Sequence, residues 1–187
     1  MDAIKERKSV REFASKKPDW KKIMRALDAV RFAPMAGNQY SLKFILVSES
    51  DKIEKITSFC QQDFVGDAKF IVVVISEDSK VERSYGSLSG KFARQQAGAA
   101  IENFLLALTE QGLATCWVGY FEEQGIRETL GIPGNMTVDA VLPIGIENEQ
   151  HKKQAKKSKP DLNDIMFFEK FDQDKIVNTP KVRTENA

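Results

Sequence analysis

Residues 68–76, AKFIVVVIS, form the most continuously apolar stretch of the chain. A strand with one wet face alternates apolar and polar residues, so an unbroken β-favouring run reads as a central strand covered on both faces. The flanking sequence offers the covers. Pro18 and Asp19 open a segment whose Trp20, Ile23, Met24, Leu27 and Val30 recur at helical steps, ending near Ala33-Pro34. Ile53, Ile56 and Phe59 mark a second helix. In FARQQAGAAIENFLLALTEQG, the residues Phe92, Ala93, Ala97, Ala100, Ile101, Phe104, Leu105 and Leu108 make a broad apolar face, with Gly112 placed to end the longest helix. LKFILVS, LATCWVGYF and TVDAVLPIGI read as further strands, EEQGIRETL as a short helix stopped by Gly131 and Pro133, and DLNDIMFFEKF as a last helix started by Pro160-Asp161. The order of elements gives a layered α/β or α+β domain with one main sheet.

The 187 residues suit a single domain, taken here as 1–172, with 173–187 as a polar C-terminal arm. Residues 77–91, EDSKVERSYGSLSGK, are polar and carry two glycines, and are expected as a loop or variable insertion. No fingerprint of a dinucleotide-binding turn or a P-loop occurs. Cys60, Cys116 and the sole histidine, His151, cannot supply a zinc cluster, and no nucleophile elbow accompanies His151. Two distant cysteines, no signal-like N-terminus and no apolar run of about 20 residues lead to the expectation of a cytoplasmic protein that does not span a membrane.

The formal net charge of +1 hides a strong pattern. Residues 5–22 and 151–160 are each +5, which leaves about −9 on the remainder. Arg7-Lys8-Ser9-Val10-Arg11 concentrates two guanidiniums, an ammonium and a hydroxyl, a set suited to phosphate oxygens, although a solvated basic face has the same composition. In Ala33-Pro34-Met35-Ala36-Gly37-Asn38-Gln39, small residues admit a flat ligand and Asn38 offers both donor and acceptor. An ordinary helix-to-strand loop would also look so. Gly112 to Phe121 is an aromatic strand ending in glycine, and Lys156-Lys157-Ser158-Lys159-Pro160 is a second basic island able to meet the first at one anion.

Taken together and in order, R-K-S-V-R-x-F, A-P-M-A-G-N, the long helix into G-L-A-T-C-W-V-G, L-G-I-P, L-P-I-G-I and K-x-K-P resemble the nitroreductase family of FMN-dependent oxidoreductases, over about residues 3–171. The resemblance implies an α+β fold, a three-layer α/β/α sandwich with a central mixed, mainly antiparallel sheet. It also implies a homodimer with two FMN sites at the subunit interface. Arg7, Lys8, Ser9 and Arg11 would hold the FMN phosphate and ribityl chain, joined by Lys157 and Lys159. Pro34, Met35, Ala36 and Asn38 would come from the partner subunit over the flavin ring, with Gly119 and Tyr120 at its far edge and Gln61 as a contacting amide. Ala93, Ala97 and Ala100 would allow close helix packing in a dimer core, or against the chain's own sheet.

The implied activity is ping-pong: NADH or NADPH reduces FMN and leaves, and a nitroaromatic, quinone or flavin-like acceptor takes its place. No side chain is required as acid or base, and no metal is implied. Two departures from the family pattern stand out. Tyr40-Ser41-Leu42 replaces Q-P-W after the asparagine, and Tyr120 replaces a glycine, placing a phenol near the acceptor space. Two other classes compete: a flavin carrier or sensor without turnover, and a polyanion or nucleic-acid binder. The basic runs lack the interleaved aromatics that the latter would use.

Overall fold

The computed structural model describes residues 1–148 and 159–173. The chain forms two compact units, Met1–Lys152 and Lys153–Ala187. In the first, α1 (Asp2–Glu6) and an extended segment lead to α2 (Trp20–Asp28), which tightens into a 3₁₀ turn at Ala29–Phe32. Then follow β1 (Leu42–Val47), α3 (Ser50–Cys60), the single turn α4 (Phe64–Asp67) and β2 (Phe70–Ser76). The unit continues with α5 (Ser79–Tyr85), α6 (Ser89–Glu110), β3 (Ala114–Thr115), α7 (Glu123–Leu130) and β4 (Thr137–Gly145).

The four strands pair antiparallel in the order β1-β2-β4-β3. A parallel bridge from Ser9 to Thr115 extends the sheet past β3 and makes it mixed. β2 is buried along its whole length, and its residues divide by parity. Phe70, Val72 and Val74 join Ile23, Ala26, Ala97, Ile101 and Phe104 from α2 and α6, whereas Ile71, Val73 and Ile75 join Ile53, Ile56 and Ile126 from α3 and α7. The continuous apolar run is thus the middle layer of an α/β/α sandwich. Its register with β4 slips between Val74 and Ile75, whose partners are Ala140 and Val138. The bulge leaves Asp139 as the extra residue and turns Val138 to the α3/α7 face.

Helix ends follow the sequence signals. Asp19 Oδ1 accepts from the Lys21 amide at 3.0 Å, and Glu122 accepts from the Gln124 and Gly125 amides at 2.9 and 2.7 Å. Gly131 closes α7 at φ +65°, and Gly112, at +70°, follows α6. On α2 the buried stripe is narrower than the sequence pattern: Ile23, Ala26 and Val30 are buried, but Trp20 and Met24 are 52% and 45% exposed. Met24 lies about 100° around the helix from Ile23, on the flank of that stripe.

Three other expectations change. Residues 77–91 are not a loop: α5 and a 3₁₀ turn at Gly86–Leu88 occupy them, anchored by fully buried Val81. The LATCWVGYF strand is only two residues long, with one further bridge from Val118 to Val141. The segment DLNDIMFFEKF forms a single 3₁₀ turn, Leu162–Asp164, although Asp161 does start it by accepting from the Asn163 amide at 2.9 Å. Of the two packings expected for Ala93, Ala97 and Ala100, the structure shows the one within the chain: all three are buried, and Ala97 and Ala100 pack in the core shared by α2, α6 and the sheet.

Candidate active site

The R-K-S-V-R-x-F segment is fixed by its apolar members. Val10 and Phe13 are buried with Ala68 and Ala114, and Phe64 packs against them. The backbone is tied at several points. The Val10 amide donates to the Thr115 carbonyl at 2.9 Å, the Ala14 amide to Ile146 at 2.8 Å, and Phe13 bridges to Glu147. Phe13 crosses Gly145 so closely that a Cβ there would meet its ring at 2.7 Å, which explains the glycine in L-P-I-G-I.

With the apolar pair turned inward, Arg7, Lys8, Ser9 and Arg11 are left along the outer sheet edge. Arg7 Nε lies 3.6 Å from Glu102 Oε1 on α6, and Lys8 Nζ lies 2.5 Å from Glu147 Oε1. Arg11 forms no ion pair among the described residues and stands over the Phe64 ring, 5.8 Å from its centroid. Beside them is a cavity of about 370 Å³ lined by Lys8, Val10, Thr109, Ala114, Thr115 and Glu147, among others. The Thr115 hydroxyl is buried beside Ser9 without a hydrogen-bond partner in the described residues. Three cations on one edge, one of them unpaired with any carboxylate, and an unsatisfied hydroxyl fit a phosphate-bearing group such as that of FMN.

The P-M-A-G-N loop is built differently. Gly37 and Asn38 both take left-handed conformations, φ +57° and +55°, inside a 3₁₀ turn Ala36–Asn38. Tyr85 of α5 closes over Gly37: a Cβ there would lie 3.2 Å from the phenol oxygen. Gln39 Nε2 donates to Ser84 Oγ at 2.6 Å. Ser41, the departure from Q-P-W, is fully buried, donates to Gln96 Oε1 at 3.2 Å and accepts the Glu77 amide on its carbonyl. Pro34, Met35 and Ala36 line a cavity of about 390 Å³ with Tyr85, Phe92, Gln95 and Gln96.

This cavity is separate from the one at the basic edge. Gln96 lines one and Thr109 the other, thirteen residues or about 20 Å apart along α6. The loop's position also depends on Arg94. Its guanidinium contacts Ser76 Oγ at the end of β2, Asp78 Oδ1 at the start of α5 (2.5 Å) and Asp139 Oδ1 on β4 (2.9 Å). The Asp139 side chain is only 3% exposed, and burial outweighs the arginine's attraction, pushing its pKa up to about 6.

The remaining expected residues are scattered. Gln61 caps α3 in the left-handed region at φ +52°. Gly119 and Tyr120 follow the Val118 bridge, exposed, with Tyr120 at 72%. Lys159 is exposed in the second compact unit, and Lys157 and His151 lie outside the described residues. Cys60 is fully buried, and that burial raises its thiol pKa to about 11, which disfavours the thiolate. Among the described residues no cluster of three His, Cys, Asp or Glu could hold a metal, and no helix is long and apolar enough to cross a membrane. Thr115 and Tyr85 were missed by the sequence reading. A hydroxyl inside an apolar strand and an aromatic seven residues before Phe92 were their only signals.

The architecture is shared with solved structures. A nitroreductase family protein from Clostridium novyi NT superposes with a TM-score of 0.73 at 25% identity, over 92% of this chain and 94% of its own. An iodotyrosine deiodinase bound to FMN and 3-iodo-L-tyrosine gives 0.70 at 21% identity, over 79% and 89%. The fold is therefore the nitroreductase α+β sandwich. In sequence, an Archaeoglobus fulgidus protein named "Putative NADH dehydrogenase/NAD(P)H nitroreductase" is 28% identical over 149 residues, 77% of this chain and 83% of that protein. The nitroreductase family model matches residues 4–60 and 54–146, and the chain belongs to that family of oxidoreductases.

Proposed function

We propose that the chain binds FMN and moves reducing equivalents from NADH or NADPH to a nitroaromatic, quinone or flavin-like acceptor. The observation that carries this reading is the basic edge. Buried Val10 and Phe13 hold Arg7, Lys8, Ser9 and Arg11 beside the unsatisfied Thr115 hydroxyl. Family membership points the same way. Arg7 and Arg11 would grip the phosphate as planar forks and Lys8 as a point charge, with Lys157 and Lys159 added from the C-terminal island. Ser9 would meet the ribityl chain.

The working unit is a homodimer. The Pro34–Asn38 loop lines a cavity about 20 Å along α6 from the edge cavity, and a second subunit would bring its own loop over a flavin held at this edge. Met35 and Ala36 would then lie on the ring, Asn38 and Gln61 would meet its polar rim, and Gly119 and Tyr120 would border the acceptor space. FMN, when bound, supplies the hydride and electron transfer; the chain positions it and excludes water. Reductant and acceptor would occupy the same space in turn, giving parallel double-reciprocal plots.

Purified protein should be yellow and be bleached by NADH or NADPH, with continuous oxidation once an acceptor is added. A colourless protein that cannot be loaded with FMN refutes the reading, and a flavin spectrum without turnover would mark a carrier instead. Arg7→Ala with Lys157→Ala should weaken FMN retention with the melting temperature of the FMN-free protein nearly unchanged. Unaltered FMN affinity would remove the phosphate assignment.

A further inference from the structure

The fold divides the N-terminal basic island. Arg7 to Arg11 lie along β3, but Lys16, Lys17 and Lys22 rim a different cavity of about 780 Å³. Its floor includes Phe70 and Leu113, 4% and 7% exposed, and one wall is the half-exposed indole of Trp20. Lys17 Nζ stands 4.8 Å from the Phe70 ring centroid, and Lys22 Nζ donates to the Gln111 carbonyl at 2.9 Å. No carboxylate pairs with any of these lysines among the described residues. Asp19, the acid at the rim, accepts from the Lys21 amide as the cap of α2.

Lys16, Lys17 and Lys22 therefore rim an apolar floor with Asp19 as the one carboxylate of its lining, which leaves an excess of positive charge. Their volume and lining fall in the range of small-molecule sites, which are mostly apolar with a few placed charges. The flavin reading does not use Lys16, Lys17, Trp20, Lys22 or Phe70, although Gly112 and Leu113 also line the cavity at the basic edge. A sugar or nucleotide would leave its hydroxyls and ring nitrogens unpaired against Phe70 and Leu113, at a desolvation cost. A ligand with one anionic end and an apolar body leaves nothing unpaired. We propose that this cavity binds an alkyl-chain carboxylate. Its chain lies on Phe70, Leu113 and Trp20, and its carboxylate sits among Lys16, Lys17 and Lys22.

Trp20 provides a built-in reporter. FMN-loaded full-length protein is titrated with dodecanoate, and in parallel with dodecanol, both below the concentrations at which they self-associate. Binding is followed by calorimetry and by indole emission, with Trp20→Phe identifying the responding tryptophan. Dodecanoate should bind saturably at one site per chain and about tenfold more tightly than dodecanol in low salt, a preference that shrinks as salt is raised. Lys16→Gln with Lys17→Gln should remove that preference while leaving dodecanol affinity unchanged, and the flavin spectrum should not move with either variant. Equal affinity for the two ligands, a preference that survives the lysine substitutions, or no saturable binding of dodecanoate would each overturn the proposal.

Discussion

The basic edge and the P-M-A-G-N loop are held by opposite means. The edge is nailed to the sheet: Val10 and Phe13 are buried, Gly145 yields space for the Phe13 ring, and backbone bonds run from Val10 and Ala14 to the strand ends. The loop rests on polar contacts and two left-handed residues: Gln39 on Ser84, Ser41 on Gln96, and Gly37 under Tyr85. A phosphate site benefits from rigidity, because charged groups held in place lose little entropy on binding. A surface that must admit reductant and acceptor in turn is better built from parts of lower local stability.

The difference can be broken most severely at Phe13. Phe13→Ala removes the ring that joins the edge to Gly145 and should cost about 3 kcal/mol. The melting temperature should drop and FMN retention should fall with it. If stability falls but FMN affinity does not, the edge does not position the cofactor. Gly145→Ala attacks the same joint from the strand side. A Cβ at 2.7 Å from the Phe13 ring forces a shift, for an expected loss of about 1 to 3 kcal/mol. Gly134→Ala, where a Cβ would meet nothing within 4 Å, is the control and should be nearly silent in the same melts.

On the loop side the cost should be smaller and the consequence functional. Gly37→Ala places a side chain at φ +57° under the Tyr85 hydroxyl, at an expected cost of about 1 to 2 kcal/mol. Acceptor KM should change more than FMN affinity. A loss of FMN affinity as large as that of Phe13→Ala would show that loop and edge are not separable.

These regions also differ in how far the sequence revealed them. The AKFIVVVIS run implied a strand with two covered faces, and the packing of alternate β2 residues on opposite helical layers follows directly. Seven of the eight residues expected on the α6 face are buried. The basic edge was visible as a cluster of charges, but its anchors were not, since Phe13 against Gly145 joins residues far apart in sequence. α5 was hidden because Val81 alone is buried in a polar segment, too little for a periodic signal. Trp20 and Met24 show the converse, apolar residues at helical spacing that lie off the buried stripe. Gln96 is a buried amide on the apolar face of α6, and its partner, the Ser41 hydroxyl that donates to its Oε1, lies 55 residues away in sequence.

The subtlest contrast concerns pH, and it sits behind the loop. Arg94 ties Asp139 to Asp78 at the start of α5, the helix that bears Ser84 and Tyr85. Asp139 is buried at the β4 bulge, and desolvation raises its pKa from 3.8 to about 6 despite the arginine. The native state therefore holds this proton more tightly than the unfolded chain does between those values. By linkage, the stability that Asp139 contributes is fully present below about pH 4 and is lost as pH rises through about 6. Asp139→Asn cannot titrate, so the melting temperature of this variant relative to the natural chain should rise from pH 4.5 to pH 7. A difference that stays flat over that window would mean that Asp139 remains ionised beside Arg94 throughout, and that the α5 side of the loop carries no buried proton.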